Sequence, residues 1–318
     1  MRMKMLGNTG IAVSEAGFGV LPIGPSQLAL PVEEGAAILR YALEKGINFL
    51  DTAQYYRTYP YIRKALEGGG FDHVVICSKS LCWDYAGMME AVEEARADLG
   101  RPVIDIFLLH EVRSGQWELR QGAWQALCDA KRQGLVRAIG LSTHHVDVAA
   151  MAASVPELDV VFPLINCAGL GIRKGDAFAS KEEMMEAIEA CHQAGKGVFS
   201  MKAFGGGALT ARYQEALDYV FSKPSIDSVM IGFGKMTEVD DLLAYLDGRM
   251  PKDYNPDVSH KRGRVNQEDC EGCGACKAAC PAGAIFYNEN GLAEVDQEKC
   301  LTCGYCSPVC PVRALIMY

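Results

Sequence analysis

The sequence predicts an α/β protein in two parts: a closed (β/α)8 TIM barrel with an N-terminal hairpin, then a small, cysteine-rich α+β domain. Three observations predict it. Short β-branched runs alternate with amphipathic stretches eight times in about 250 residues, as parallel strands joined by crossover helices require. The 318-residue length is about twice that of a usual domain. One cysteine pattern occurs twice near the C-terminus, offset by thirty residues.

Residues 3–6 and 11–13 form the hairpin, turned by Gly7, Asn8, Thr9 and Gly10. The eight strands fall at about 15–20, 47–51, 74–79, 104–110, 136–142, 160–166, 197–203 and 226–232. Helices are expected at 32–44, 88–99, 117–132, 181–193 and 238–246, where apolar residues recur at three- and four-residue spacing. A doubly wound open sheet is the alternative, but no Gly-x-Gly-x-x-Gly follows the first strand. Beyond residue 246 the composition shifts to Gly, Pro, Asn and Lys, which marks a linker. The expected division is 1–250 for the barrel, 251–262 for the linker and 263–318 for the second domain. The basic residues Lys261, Arg262 and Arg264 read as a solvated tether.

Each cysteine run reads C-x2-C-x2-C-x3-C followed by Pro: Cys270, Cys273, Cys276, Cys280, then Cys300, Cys303, Cys306, Cys310. Three thiolates of such a run grip one iron-sulfur cube while the fourth reaches the other. One cluster then takes Cys270, Cys273, Cys276 and Cys310, and its twin takes Cys300, Cys303, Cys306 and Cys280. Gly272, Gly274, Ala275 and Gly304 leave room for backbone N–H groups to approach the sulfides. Zinc is the alternative for paired cysteines, but it takes four ligands, usually as two separated pairs. The segment resembles a bacterial two-cluster ferredoxin, which implies a ferredoxin-like fold holding two 4Fe-4S clusters.

The formal charge of −9 removes the electrostatic basis for nucleic-acid or anionic-membrane binding. Eight of the thirteen cysteines are assigned as thiolate ligands; Cys77, Cys82, Cys128, Cys167 and Cys191 read as free thiols in a reducing compartment. With no signal-peptide pattern and no run of 18 apolar residues, the expectation is a soluble cytoplasmic protein.

Chemistry is expected where barrel strands end. The second strand ends at Asp51 and runs on through Gln54, Tyr55 and Tyr56; the third ends at Lys79; the fourth ends at His110. Singly each could be chain punctuation, but together they form a constellation. With the stretches DTAQYY, VVICSK, DIFLLH and GLSTHH, residues 1 to about 247 resemble the aldo-keto reductase superfamily. That resemblance implies an Asp51, Tyr56, Lys79, His110 tetrad and a NADH or NADPH cofactor, with Tyr56 as general acid to a carbonyl substrate or the reverse with an alcohol. Tyr55 is the neighbour set aside. A free phenol ionises near pH 10, and cationic Lys79, held by Asp51, is expected to lower that value while His110 orients the substrate oxygen.

The same resemblance implies cofactor contacts at Ser142, Thr143 and Asn166. Phe162 stands where many relatives carry glutamine, and Met201, followed by Lys202, replaces the usual ring-stacking tyrosine; a thioether can still cover a ring face. The run from Gly205 to Gly207 offers backbone to a pyrophosphate, with Gly232 and Lys235 near the nucleotide. Glu238 occupies the arginine position of NADP-preferring relatives, a lean toward NADH. Trp83, Tyr85 and Trp117 lie in loops that line substrates in this fold or pack beneath them. Arg57, where a glycine commonly follows the tyrosine, and Arg113 suggest an anionic carbonyl compound. His144, His145, His192 and His260 lack ligand spacing.

Nicotinamide delivers two electrons at once and each cluster one, and no flavin motif is recognisable. Three arrangements are open: a carbonyl reductase with a structural or partner-docking appendage; a redox enzyme whose clusters link an external donor to the barrel; and a non-catalytic electron-transfer subunit. The intact tetrad argues against the last. Residues 264–318 carry four basic and seven acidic side chains, which suits a basic redox protein partner.

Overall fold

The computed structural model describes residues 1–256, 262–300, 306–312 and 314–317. Cys303, Lys261 and His260 therefore lie outside the described residues. The antiparallel hairpin β1 (Met3–Met5) and β2 (Ala12–Ser14) precedes the barrel. Eight strands and eight helices follow: β3 (Ala16–Gly19), α1 (Val32–Glu44), β4 (Phe49–Asp51), α2 (Tyr59–Leu66), β5 (Val75–Ser80), α3 (Tyr85–Leu99), β6 (Ile104–Leu109), α4 (Gln121–Arg132), β7 (Val136–Thr143), α5 (Val146–Ala152) and β8 (Val160–Pro163). After a short excursion, β9 (Arg173–Lys174) with β10 (Ala177–Phe178), come α6 (Lys181–Gln193), β11 (Gly197–Ser200), α7 (Tyr213–Phe221), β12 (Ser228–Gly232) and α8 (Met236–Leu246). Parallel pairing runs from β3 round to β8, on to β11 and β12, and back to β3, so the sheet closes as the sequence predicts.

The barrel interior is filled by inward residues such as Phe49, Val75, Ile106, Val160, Phe162 and Phe199, with Leu6, Ile11 and Val13 of the hairpin packed against them. Backbone N–H groups of Gly7 and Ser14 bond Asp227 and Asn48, which lie just ahead of β12 and β4. The hairpin thus plugs the N-terminal end and leaves the opposite mouth for chemistry. Helices α2, α5 and α7, of eight, seven and nine residues, fill the remaining crossovers of the eightfold alternation; two turns give too short a run for periodicity to mark each one. The stretch 117–132, expected as one helix, is a 3-10 turn (Glu118–Arg120) followed by α4.

The second domain contains β13 (Gly263–Val265), α9 (Ala275–Ala278), β14 (Ile285–Tyr287), β15 (Ala293–Val295), α10 (Cys306–Val309) and β16 (Leu315–Met317). β13 pairs with β16 and β14 with β15, all antiparallel. A shift of thirty residues carries β13 onto β15 and β14 onto β16, the offset that separates the cysteine runs. The domain rests on the barrel's C-terminal mouth. Asn266 Nδ2 donates to Tyr55 Oη at 2.6 Å, and Arg264 Nη1 donates to the Gln27 carbonyl at 3.2 Å. No helix among the described residues is long and apolar enough to cross a membrane.

Candidate active site and iron-sulfur centre

Three strand ends converge at that mouth. Asp51 is the last residue of β4, Lys79 lies in β5, and His110 follows β6. Parallel register sets Asp51 beside Cys77 and Lys79 beside Leu108, so the ends stay level. Lys79 is 1% exposed, and its Nζ donates to Asp51 Oδ1 at 2.7 Å and to the Thr52 carbonyl at 2.6 Å. Burial opposes its charge, but Asp51, Tyr56 and Cys77 together outweigh that and raise its pKa. Tyr56 ends the 3-10 turn Gln54–Tyr56, with Lys79 Nζ 4.8 Å from its ring centre and its hydroxyl 3.3 Å from His110 Nε2. Tyr55 points elsewhere, toward Asn266.

The expectation that Lys79 lowers the Tyr56 pKa needs correction. Burial is the larger influence and pushes the phenol up to about 12, against the downward pull of Lys79. Tyr56 is therefore held protonated. Burial, reinforced by Lys79, Arg120 and Lys202, keeps His110 well below its ordinary value and hence neutral. His110 Nδ1 is buried with no hydrogen-bond partner among the described residues. An orphaned acceptor is better tolerated than an orphaned N–H, which assigns the ring proton to Nε2.

Among the described residues, three of the four non-glycine residues with positive φ follow site positions: Arg57 (φ 56) after Tyr56, Glu111 (φ 49) after His110, and Lys202 (φ 60) after Met201. Strain of this kind clusters where a site is over-determined by its surroundings. The left-handed turn explains why a glycine suits position 57. Arg57→Gly is expected to raise stability by about 0.5–1 kcal/mol, the relief at φ exceeding the entropy glycine adds to the unfolded chain. A denaturant midpoint that falls instead would contradict this.

In the second domain, burial pushes the Cys276 thiol up, with smaller upward contributions from Cys310, Cys270 and Cys273. These are the four cysteines that the crossed pattern assigns to one cluster. Cys276 and Cys310 are buried in a core with Val265, Ile285, Ala293 and Leu315, and Cys270, Cys280 and Cys306 pack against it. The backbone N–H of Ala293 points at Cys270 Sγ at 3.5 Å, and that of Ala284 at Cys280 Sγ at 3.3 Å, the hydrogen bonding that cluster thiolates take. Gly272 (φ 65) and Gly274 (φ 81) turn the ligand loop where a Cβ would strike the Gly291 carbonyl and the Tyr287 hydroxyl. Thiolates with backbone N–H donors are the chemistry an iron-sulfur cluster takes; among the described residues no three His, Cys, Asp or Glu side chains stand close enough to share a single metal ion. Cys300 is held by its N–H to the Asp296 carbonyl, as Cys270 is to that of Asn266.

Residues 16–218 match the family model for the aldo/keto reductases. The chain belongs to the aldo/keto reductase family. Residues 263–317 match a 4Fe-4S dicluster domain, so this aldo/keto reductase is an oxidoreductase with a ferredoxin-type iron-sulfur domain. It is 24% identical over 282 residues to the L-galactose dehydrogenase of Arabidopsis thaliana, covering 77% of this chain and 88% of that protein. Over 209 residues it is 25% identical to the methylglyoxal reductase DkgA of Yersinia pestis, with 63% and 73% covered. A Pseudomonas aeruginosa structure assigned to the aldo-keto reductases superposes with a TM-score of 0.65 at 24% identity, covering 78% of this chain and 96% of that one. A Bacillus halodurans aldo-keto reductase in its holo form gives 0.64 at 17%, with 81% and 93% covered.

The loops of this aldo/keto reductase use much of their polar capacity internally. Thr143 Oγ1 donates to the Val112 carbonyl and accepts from His145 N, while Ser142 Oγ accepts from Glu111 N and keeps its own proton. Asn166 holds its own turn through Ala168 N, Leu170 N and the Leu170 carbonyl. Met201 is half-buried after β11 and bridges to Leu164. Glu238 accepts from Gly234 N at 2.7 Å, Lys235 is exposed at the start of α8, and Gly232 lies against Pro22. Arg113 is paired with Glu111 at 3.1 Å, so its charge is partly committed. One residue escaped sequence reasoning: Arg120, 1% exposed, donates to the carbonyls of Ser80, Cys82 and His110. It ties the ends of β5 and β6 together and breaks the expected helix, yet one arginine in a polar stretch carries no sequence signal.

Proposed function

We propose that this enzyme interconverts a carbonyl compound and its alcohol at Asp51, Tyr56, Lys79 and His110, and that two 4Fe-4S clusters on the eight paired cysteines carry electrons for it. The observation that carries the reading is the buried Lys79–Asp51 pair beneath a phenol that faces His110 Nε2. A substrate oxygen placed between Tyr56 and His110 meets two donors. As that oxygen gains charge it becomes more basic than a phenolate, so the Tyr56 proton moves to it downhill. Lys79 then balances the phenolate across a water-poor site. Burial holds Tyr56 protonated, which suits it to donate to a carbonyl oxygen near neutral pH. The two electrons that the carbonyl takes up come either one from each cluster, refilled by an external one-electron donor, or as a hydride from NADH or NADPH, the reductant that family membership implies. The Ser142 hydroxyl and the Met201 thioether remain to receive it, but the glycine turn after β11 is covered.

The test is anaerobic reconstitution followed by iron and sulfide analysis, with about eight of each per chain expected for two cubes. The protein is then offered aldehydes and ketones with a nicotinamide or a one-electron donor. With the one-electron donor, Cys273→Ala and Cys303→Ala are expected to abolish turnover. Retained turnover would make the clusters an appendage, and no turnover of any carbonyl by the loaded protein would remove the reading.

A further inference from the structure

In (β/α)8 barrels, phosphates are commonly held by the loops after the seventh and eighth strands, where backbone N–H groups and a helix N-terminus face the ligand. Here those loops are the turn Gly205–Gly207 after β11 and residues 232–235 ahead of α8. The three glycines have φ of 58, 71 and 94, a backbone only glycine adopts freely. Both loops are already engaged. β16 packs on the glycine turn, and Ser307 Oγ stands 3.7 Å from the place a Cβ on Gly206 would take. Glu238, in the first turn of α8, puts its carboxylate on Gly234 N, where a phosphate oxygen would otherwise be received. Asp269 Oδ2 accepts at 2.7 Å from the same Asn266 amide that reaches Tyr55, which sets an acidic side chain beside the mouth. Arg264 and Asn266 fasten the domain there through Gln27 and Tyr55.

We propose that the iron-sulfur domain and the dinucleotide compete for this face of the barrel: the docked domain excludes NADH or NADPH, and the dinucleotide enters only when the domain lifts away. The proposal rests on the reading above only in taking a nicotinamide as reductant. It makes the first cysteine run part of the wall of the mouth, since Asp269 immediately precedes Cys270, and it gives two mutually exclusive states, one closed by the cluster domain and one open to dinucleotide.

Binding of NADH and of NADPH to the anaerobic, cluster-loaded full chain is measured by equilibrium dialysis for the wild type, Tyr55→Phe and Asn266→Ala. Tyr55→Phe removes one docking hydrogen bond from the barrel side and leaves the cysteine loops untouched. Each variant is expected to bind the preferred dinucleotide about fivefold more tightly, the equivalent of one lost hydrogen bond in the competing contact. Saturating dinucleotide is expected to raise the radius of gyration of the wild type in small-angle scattering. Equal affinity in all three proteins with an unchanged radius would overturn the proposal, because the domain and the dinucleotide would then share the face. Failure of every protein to bind either dinucleotide would overturn it too. Neither result bears on whether Tyr56 donates the proton, which is read from turnover of Tyr56→Phe.

Discussion

Replacing Tyr56 by Phe is expected to cut carbonyl turnover by about 10²–10⁴-fold, the usual contribution of a positioned general acid, with the fold unchanged. The hydroxyl is the only atom removed, and its hydrogen-bond partner in the structure is His110 Nε2 at 3.3 Å. His110 keeps its N–H, so substrate binding should suffer less than kcat. A loss confined to kcat, with KM nearly constant, marks an interaction made as the oxygen gains charge. Steady-state kinetics with whichever reductant drives the wild type checks this. A loss under tenfold would exclude Tyr56 as the donor and redirect attention to His110.

The pH profile adds a second signature. With the Tyr56 phenol at about 12, its ionisation cannot limit reduction below about pH 11. With His110 held well below its ordinary value of 6.5, no imidazole inflection belongs between pH 6 and 8. The sign for stability follows from the same shift. The unfolded chain takes up a proton at His110 as pH falls through 6.5 while the folded chain does not, so stability present above that value is lost on going lower.

Sequence reading located the barrel because eight apolar runs punctuated by single ionisable residues leave little freedom in register. Asp51, Lys79 and His110 stood out as charges closing otherwise apolar strands. Arg120 did not, because its partners are backbone carbonyls of Ser80, Cys82 and His110 and nothing local in a polar segment distinguishes an arginine that folds inward. The net pKa shift of Tyr56 escapes sequence reading for a related reason: a neighbouring cation can be inferred from a motif, whereas the depth of burial that outweighs it depends on the whole assembly. The docking of the second domain had no sequence signature either. It hangs on contacts such as Asn266 with Tyr55, 211 positions apart, and the choice among an appendage, a linked redox enzyme and a carrier turns on that placement.

Lys79→Met is expected to destabilise the protein by about 3–5 kcal/mol, the cost of leaving a buried carboxylate without its cation. Asp51 is 5% exposed and Lys79 is its ion-pair partner at 2.7 Å, so no solvent replaces the lost charge. The companion variant with both Asp51→Leu and Lys79→Met removes the pair together and should recover much of that loss, because a matched apolar pair incurs no desolvation penalty. Thermal melts separate the cases: the single variant should melt lower by on the order of 10 °C and the double variant by much less. Both should lack turnover, since neither has a cation to balance the Tyr56 phenolate. If the single variant melts with the wild type while turnover is lost, the pair serves chemistry alone and the mouth is wetter than its burial indicates. If it melts low and the double variant lower still, the pair contributes net stability, and the strand ends depend on it for their alignment.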